Sequence, residues 1–288
     1  MLQVARLAKR LLGESADLVT RFLLDRRNAD GGFSDRSGKS DLYYTVFGLE
    51  GLLALGAPVP REAVETYLRS FGPGSGLDLV HLSSLARAWA DLSPDLRAPP
   101  PCRWVLDALE AFRSADGGYG ISGGAARGSV YGSFLALGAW QDMGAGPPDP
   151  EGLLRSLEGL RASDGSYANV EGAASGQTPA TAAAAAILRQ LDRPAPAGLG
   201  PWLLARAHPQ GGFRATIDAP LPDLLSTATA LHGLAGLHLP FAEVKEPCLD
   251  FIDSLWTNQG SFHGNWTDEA LDCEYTWYAL LALGHLSL

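Results

Sequence analysis

The chain has three cysteines, Cys102, Cys248 and Cys273, widely spaced and without a CxxC pair. That argues against a disulfide framework and against a zinc knuckle, and it makes a reducing cytoplasm the expected location. It has no block of lysine and arginine: 22 basic residues stand against 32 acidic ones for a net charge of −10, so a nucleic-acid surface is not expected. It has no long uncharged apolar run. The longest, around Thr181–Leu188, falls far short of the roughly 18 residues that a membrane helix needs. The N-terminal stretch MLQVARLAKRLLGESADL carries Arg6, Lys9 and Arg10 among leucines at helical spacing, which reads as an amphipathic helix rather than a leader or a span. Period-2 alternation is missing as well, so strands are not expected.

What the chain does have is a repeated glycine-glycine-aromatic punctuation. It reads ADGGF at Ala29–Phe33, ADGGY at Ala115–Tyr119, SDGSY at Ser163–Tyr167, PQGGF at Pro209–Phe213 and NQGSF at Asn258–Phe262. The last four aromatics are 46 to 49 residues apart, whereas the first gap is 86 and contains a degenerate unit, FGPGSGLDLVHL, at Phe71–Leu82. Six repeats follow from this count. Glycine pairs end helices, so each unit reads as an amphipathic helix, a glycine turn, a short arm and a second, more apolar helix. The first helices are expected near Ser15–Arg26, Arg61–Ser70, Trp104–Arg113, Pro150–Arg161, Pro201–Ala207 and Glu246–Trp256. The second are expected near Asp41–Leu55, Asp78–Leu92, Gly128–Gln141, Gln177–Leu191, Asp223–Leu237 and Asp272–Leu286, with Pro/Gly linkers such as Pro94–Pro101 between units.

An open stack of hairpins needs polar end caps. Here the first and last units are the most alike: SDLYYTVFGLEGLLALG at Ser40–Gly56 aligns with LDCEYTWYALLALG at Leu271–Gly284, placing Asp41 over Asp272 and Tyr44 over Tyr275. The expected fold is therefore an all-α, closed (α/α)6 toroid of six helical hairpins in a single domain over residues 1–288, with the second helices inside. The charge-free run ATAAAAAIL at Ala180–Leu188 suits a helix buried on both sides.

These motifs, DGGF turns followed by D-x-x-[YH]-T inner helices ending in L-x-x-LG, resemble protein prenyltransferase β subunits, most of all the Rab geranylgeranyltransferase type. More distantly they resemble the toroidal domains of squalene-hopene and related terpene cyclases. The resemblance implies an apolar central funnel for an isoprenoid, a zinc held by Asp, Cys and His, and an Arg/Lys/His grip on a diphosphate. LPDLLS at Leu221–Ser226 resembles the family's LPD-x-C-Y-S segment, so Asp223 falls on the zinc aspartate, while Leu225 and Tyr275 stand at the cysteine and histidine positions. Arg206 matches the family arginine, whereas Pro220 and about Ala174 stand at the lysine and histidine positions. With two of three ligands replaced, no zinc, no other metal and no cofactor is expected. His81, Cys273 and His263 lack a spacing that would restore the site.

The aspartates Asp41, Asp78, Asp223 and Asp272 occupy equivalent first-turn positions, where a carboxylate caps a helix and where several together could share protons or a cation. Three residues after the cap come Tyr44, His81, Tyr131, Ala180, Ser226 and Tyr275, expected to face the lumen around an off-centre pocket. DCEYT at Asp272–Thr276 is also similar to the D-x-D-D-T acid motif of class II terpene cyclases, with Glu274 in the place of the proton-donating acid. Three functions follow as expectations. The first is a prenyltransferase-like enzyme handling an isoprenoid without zinc. The second is cyclase-like protonation from Glu274 and Asp272. The third is a non-catalytic scaffold that binds a lipid or, as the resemblance implies for β subunits, a helical protein partner. Asp272, Glu274, Tyr275, Asp41 and Tyr44 are the candidate catalytic residues; Asp78, His81, Tyr131, Ser226, Asp223 and Arg206 are the candidate substrate contacts.

Overall fold

The computed structural model describes residues 1–92 and 100–288, with the side chains of residues 100–102 excepted. The linker proposed at Pro94–Pro101 and the thiol of Cys102 thus lie almost wholly outside the described residues. In chain order the helices are α1 (Leu2–Ala5), α2 (Lys9–Leu12), α3 (Ala16–Asp25), α4 (Leu42–Ala54), α5 (Arg61–Arg69), α6 (Leu79–Leu92) and α7 (Pro100–Leu109). They continue with α8 (Val130–Asp142), α9 (Pro150–Gly159), α10 (Thr178–Gln190), α11 (Leu199–Leu204), α12 (Leu224–Gly236), α13 (Ala242–Ser254) and α14 (Cys273–Leu286). The even-numbered helices from α4 to α14 form an inner layer in which each packs on the next, α4 on α6 and so on to α14, and α14 packs in turn on α4. They are apolar on most faces. In α10 nearly every side chain from Ala180 to Leu188 is buried, as a charge-free helix requires.

The glycine turn joins the outer layer to the inner one by the same bond in four repeats. The backbone N–H of the turn aromatic donates to a hydroxyl one turn into the inner helix: Phe33 to Thr45 at 2.9 Å, Tyr119 to Ser133 at 3.2 Å, Tyr167 to Thr181 at 3.1 Å and Phe213 to Thr227 at 2.9 Å. The aromatic rings are buried beneath. Three arms then reach the start of the preceding inner helix. Thr178 N–H donates to Ala215 C=O and Leu224 N–H to Gly264 C=O, while Tyr131 N–H donates to Asn169 Oδ1.

Three small features depart from the expectation of no strands. Antiparallel pairs two residues long join β1 (Phe33–Ser34) to β2 (Ser40–Asp41), β3 (Phe213–Arg214) to β4 (Pro222–Asp223) and β5 (Trp256–Thr257) to β6 (Ser261–Phe262). Two residues are too few to write a period-2 pattern. The N-terminal stretch is helical but broken, and it packs against α14 and α4 rather than extending the outer layer. A side chain at Gly284 would lie 2.2 Å from the Val4 carbonyl oxygen.

The turn glycines also determine how neighbouring units fit. Gly31 abuts Ala63 in α5 and Gly211 abuts Pro247 in α13, while Gly260 of the last unit abuts Leu18 in α3 of the first. Gly260 has φ +84°, and a Cβ there would lie 2.3 Å from the Leu18 carbonyl oxygen. Gly38 has the same φ of +84° with nothing within 4 Å. Alanine at Gly38 should therefore cost only the left-handed strain, about 1–2 kcal/mol. Alanine at Gly260 adds a backbone collision and should cost at least about 3 kcal/mol. Urea unfolding of the two variants measures the difference, and equal costs would show that the Gly260–Leu18 approach carries no stability.

Candidate active site

The first turns of the inner helices form a polar rim. Asp41, Asp78, Asp223 and Asp272 each accept the backbone N–H three residues on, from Tyr44, His81, Ser226 and Tyr275, at 2.7 to 3.1 Å. The capping role is therefore real at all four positions, and the second carboxylate oxygen decides what else each one does. Asp223 accepts from Ser226 Oγ at 2.7 Å, so this pair satisfies itself, and burial raises the Asp223 carboxyl above the usual range. His81 joins two helices: Nδ1 lies 2.8 Å from Asp78 Oδ1 and Nε2 lies 3.0 Å from Asp41 Oδ2. Burial alone would lower the His81 imidazole, but these two carboxylates outweigh it and hold it above its ordinary value.

Asp272 is buried and receives Arg36 Nε at 2.8 Å, while Arg36 Nη2 reaches Asp268 at 3.0 Å. Arg36 belongs to the arm of the first repeat, so the pair ties that arm to the last inner helix. Its guanidinium also lies 5.4 Å from the centroid of the Tyr275 ring. Tyr275 in turn packs on Gly264, where a side chain would come within 2.6 Å of the ring.

Below the rim a cavity of about 240 Å³ runs between the inner helices. Its upper wall is aromatic: Tyr43 and Phe47 of α4, Tyr131 and Phe134 of α8, Trp277 and Tyr278 of α14. Ser83 stands at the same height, and the lower wall is polar, with Glu50, Arg87, Asp142, Arg189 and His232. The inward positions are thus not the ones read from the repeat. Tyr44, His81, Ala180, Ser226 and Tyr275 are absent from the lining; Tyr131 is present because the cap of α8 is Ser129, which puts Tyr131 two residues after its cap rather than three. Tyr43 and Glu274 occupy that same second position after Asp41 and Asp272.

Glu274 is the acid that this geometry isolates. Tyr43 donates its hydroxyl to Glu274 Oε1 at 2.6 Å, so the carboxyl lies directly behind a cavity-lining side chain. Burial lifts its pKa to about 7, helped by the charge on Asp272 and opposed by the Tyr43 hydrogen bond and by Arg36. A carboxyl that is half protonated near neutrality, beside a second carboxylate pinned by arginine, has the electrostatics of a general acid. Tyr43 and Tyr278 escaped the sequence reading, because the repeat identifies equivalent positions without saying which of them turn inward. Arg36 escaped it too, since an arm carries no periodicity.

The donor set implied for zinc does not fit the metal. Leu225 has no donor atom, Asp223 is engaged by Ser226, and Tyr275 is packed on Gly264 under Arg36. Among the described residues no three His, Cys, Asp or Glu side chains cluster as metal ligands. Cys273 is buried and burial pushes its thiol well above the usual range; Cys248 is pushed up to about 11. Arg206 is buried in the outer layer with its guanidinium 4.6 Å from the Trp202 ring centroid, and it does not line the cavity.

The architecture is shared with enzymes of differing chemistry. The type II terpene cyclase MstE from Scytonema aligns with a TM-score of 0.64 at 16% identity, over 100% of this chain and 98% of that one. A glycosidase in complex with glucose aligns at 0.60 and 13%, over 99% and 96%. Protein geranylgeranyltransferase-I from Candida albicans, complexed with GGPP, aligns at 0.56 and 14%, over 97% and 80%. At these identities the likeness is one of fold. The sequence matches no functionally curated protein. Residues 7–88 and 181–287, more than half of the chain, match the model of the prenyltransferase alpha-alpha toroid domain. With its mostly helical fold, its glycine-turn repeats and its inner layer of capped apolar helices, the chain belongs to the prenyltransferase alpha-alpha toroid family.

Proposed function

We propose that the six helix pairs close into an (α/α)6 toroid, a single domain over residues 1–288, whose cavity binds an isoprenoid chain and protonates it from Glu274. The packing of α14 on α4 and of Gly260 on Leu18 supports closure. The observation that carries the chemistry is the half-buried Glu274 carboxyl, with a pKa near 7, hydrogen-bonded to the cavity-lining Tyr43. Prenyl transfer of the ordinary kind fits less well, because the positions implied for zinc hold Leu225 and Tyr275. An enzyme working on a soluble isoprenoid in the cytoplasm accords with the absence, among the described residues, of any helix able to cross a membrane.

In this reading the protonated Glu274 reverses the hydrogen bond seen with its carboxylate: its own O–H donates to the Tyr43 oxygen and passes its proton there as the Tyr43 hydroxyl proton, now turned to the cavity, moves to a terminal alkene carbon. One O–H bond breaks and one C–H bond forms at the substrate. Positive charge then develops on the more substituted carbon, and the next double bond attacks it to close a ring. Loss of a proton from the final cation to water leaves a neutral product, and a proton from the solvent returns to the Glu274 carboxylate. The faces of Phe47, Trp277 and Tyr278 stabilise the travelling charge. Asp272, pinned by Arg36, keeps a second carboxylate near Glu274.

Turnover of an isoprenoid should hold below pH 7 and fall as pH rises through about 7, where Glu274 loses its proton. Glu274→Gln should lower kcat by about 10²–10⁴-fold without unfolding the protein. Because burial raises this carboxyl above its unfolded value, its contribution to stability is present at acid pH and is lost as pH rises through about 7. The Gln variant should accordingly gain stability relative to the parent chain in alkaline buffer, as measured by thermal melts across pH. Full activity in Glu274→Gln would refute the assignment.

Tyr43→Phe removes a hydrogen bond that holds the Glu274 pKa down. The inflection of the pH–rate profile should move to higher pH, while kcat drops by roughly tenfold or more as the path to the substrate is cut. An unmoved inflection would mean that Glu274 is not the titrating acid.

A further inference from the structure

We infer that Arg206 and Arg214 form a site for a small divalent oxyanion, a phosphate, phosphate monoester or sulfate, in the outer part of the fifth repeat. The site is separate from the cavity, which neither arginine lines, and it is independent of the chemistry assigned to Glu274.

The glycine turn brings the two residues together. Arg206 follows the last turn of α11 and Arg214 lies in β3, and the chain folds back between them so that the Arg214 N–H donates to the Arg206 C=O at 3.0 Å. Arg206 is only 7% exposed, yet its Nε and Nη1 are buried without a hydrogen-bond partner, and so is the Nε of Arg214. Arg214 makes one long contact, from Nη1 to the Ile217 C=O at 3.4 Å. Neither guanidinium has an ion pair among the described residues.

The groups nearby do not supply the missing charge. Asp164 is the acid whose field reaches Arg206, but its oxygens already accept from Ser166, from Ser175 Oγ at 2.6 Å and from Trp202 Nε1 at 2.8 Å. The Trp202 ring, with its centroid 4.6 Å from the Arg206 guanidinium, offers a π face and no acceptor atom. Burial and the charge of Arg214 together lower the Arg206 guanidinium from its ordinary value, against the weaker pull of Asp164. Other repeats answer the arginine at this end of the outer helix internally. Arg113 holds Glu110 at 2.8 Å and Arg161 holds Glu158 at 3.5 Å, each acid three residues earlier. Three residues before Arg206 the chain has Leu203.

A buried donor without a partner is a costly exception in a folded protein, and here several donors and two like charges occur side by side. A carboxylate would answer one of the charges. A divalent oxyanion answers both and presents oxygens to the guanidinium groups of two residues at once. Thr178 Oγ donates to the Arg214 C=O at 2.6 Å, so an anion held here would tie the arm to the end of α11 close to where that arm meets the start of α10.

Thermal melts of the full chain in phosphate, methyl phosphate, sulfate, acetate and chloride, at one ionic strength and in mildly alkaline buffer where phosphate is divalent, test the site. At about 50 mM the divalent anions should raise the midpoint by about 2–4 °C over chloride, and acetate by less than about half as much. The order among phosphate, its methyl ester and sulfate identifies which of them the site takes. Arg214→Gln should remove at least about two thirds of the rise and, by relieving the repulsion between like charges, leave the midpoint in chloride no lower than that of the parent chain. Arg206→Gln should behave alike; if that variant fails to fold, Arg214→Gln decides alone. The 31P resonance of phosphate should broaden with the parent chain and stay sharp with Arg214→Gln. Arg189→Gln, at the cavity, should keep the full rise. The absence of any rise, an equal rise in acetate, or a rise retained in Arg214→Gln would mean water or an adventitious ion only and would overturn the site. Loss of the rise in Arg189→Gln would move the anion to the cavity, and an equal drop of Arg214→Gln in chloride and in phosphate would leave Arg214 a structural role alone; either result overturns the inference.

Discussion

The seating of the inner helices against the outer layer depends on one hydrogen bond repeated around the molecule. In four repeats the N–H of the turn aromatic donates to the Thr or Ser hydroxyl one turn into the inner helix. The same hydroxyl position closes the first turn where Thr45 and Thr227 donate to the carbonyls of Asp41 and Asp223. Buried backbone groups must be paired, so this bond determines where the arm starts and, with the capping aspartate, where the helix starts. In these four repeats the bond and the cap together set the height of the side chains at the rim.

From that frame the chemistry of the carboxylates sorts itself by what each has already bound. Asp223 is satisfied by Ser226, Asp41 and Asp78 share His81, and Asp272 holds Arg36. Glu50 is answered by Arg87. Glu274 has only a tyrosine hydroxyl, which stabilises its anion too weakly to offset burial. The same carboxylate chemistry therefore yields structural caps at four sites and a neutral-range acid at a fifth. The cavity extends this contrast along its length, from hydroxyls beside an acid at one end, through rings, to guanidinium groups at the other.

The architecture was legible because its signals are local. A glycine pair ends a helix wherever it falls, an aspartate caps one, and an apolar run such as Ala180–Leu188 can only be interior. The four caps and the inner helices stand where the repeat put them, within a residue or so. The one-residue slip at Ser129 came from a glycine that could have begun the helix equally well. A longer stretch at the start of α13 was missed because Pro247 lies inside that helix. The sites were less legible, since which of Tyr43 and Tyr44 faces the cavity depends on the rotation of a helix against its neighbours, and no repeat encodes that.

The sequence by itself determined the class of fold and the positions of the caps, because each depends on residue type at a fixed spacing along one chain. The tertiary structure alone decided that Tyr43 meets Glu274 across 231 positions of sequence and that Arg36 clamps Asp272. Those are facts of distance and burial. A pKa near 7 for a glutamate arises from what surrounds it, and its surroundings come from helices that only packing brings together.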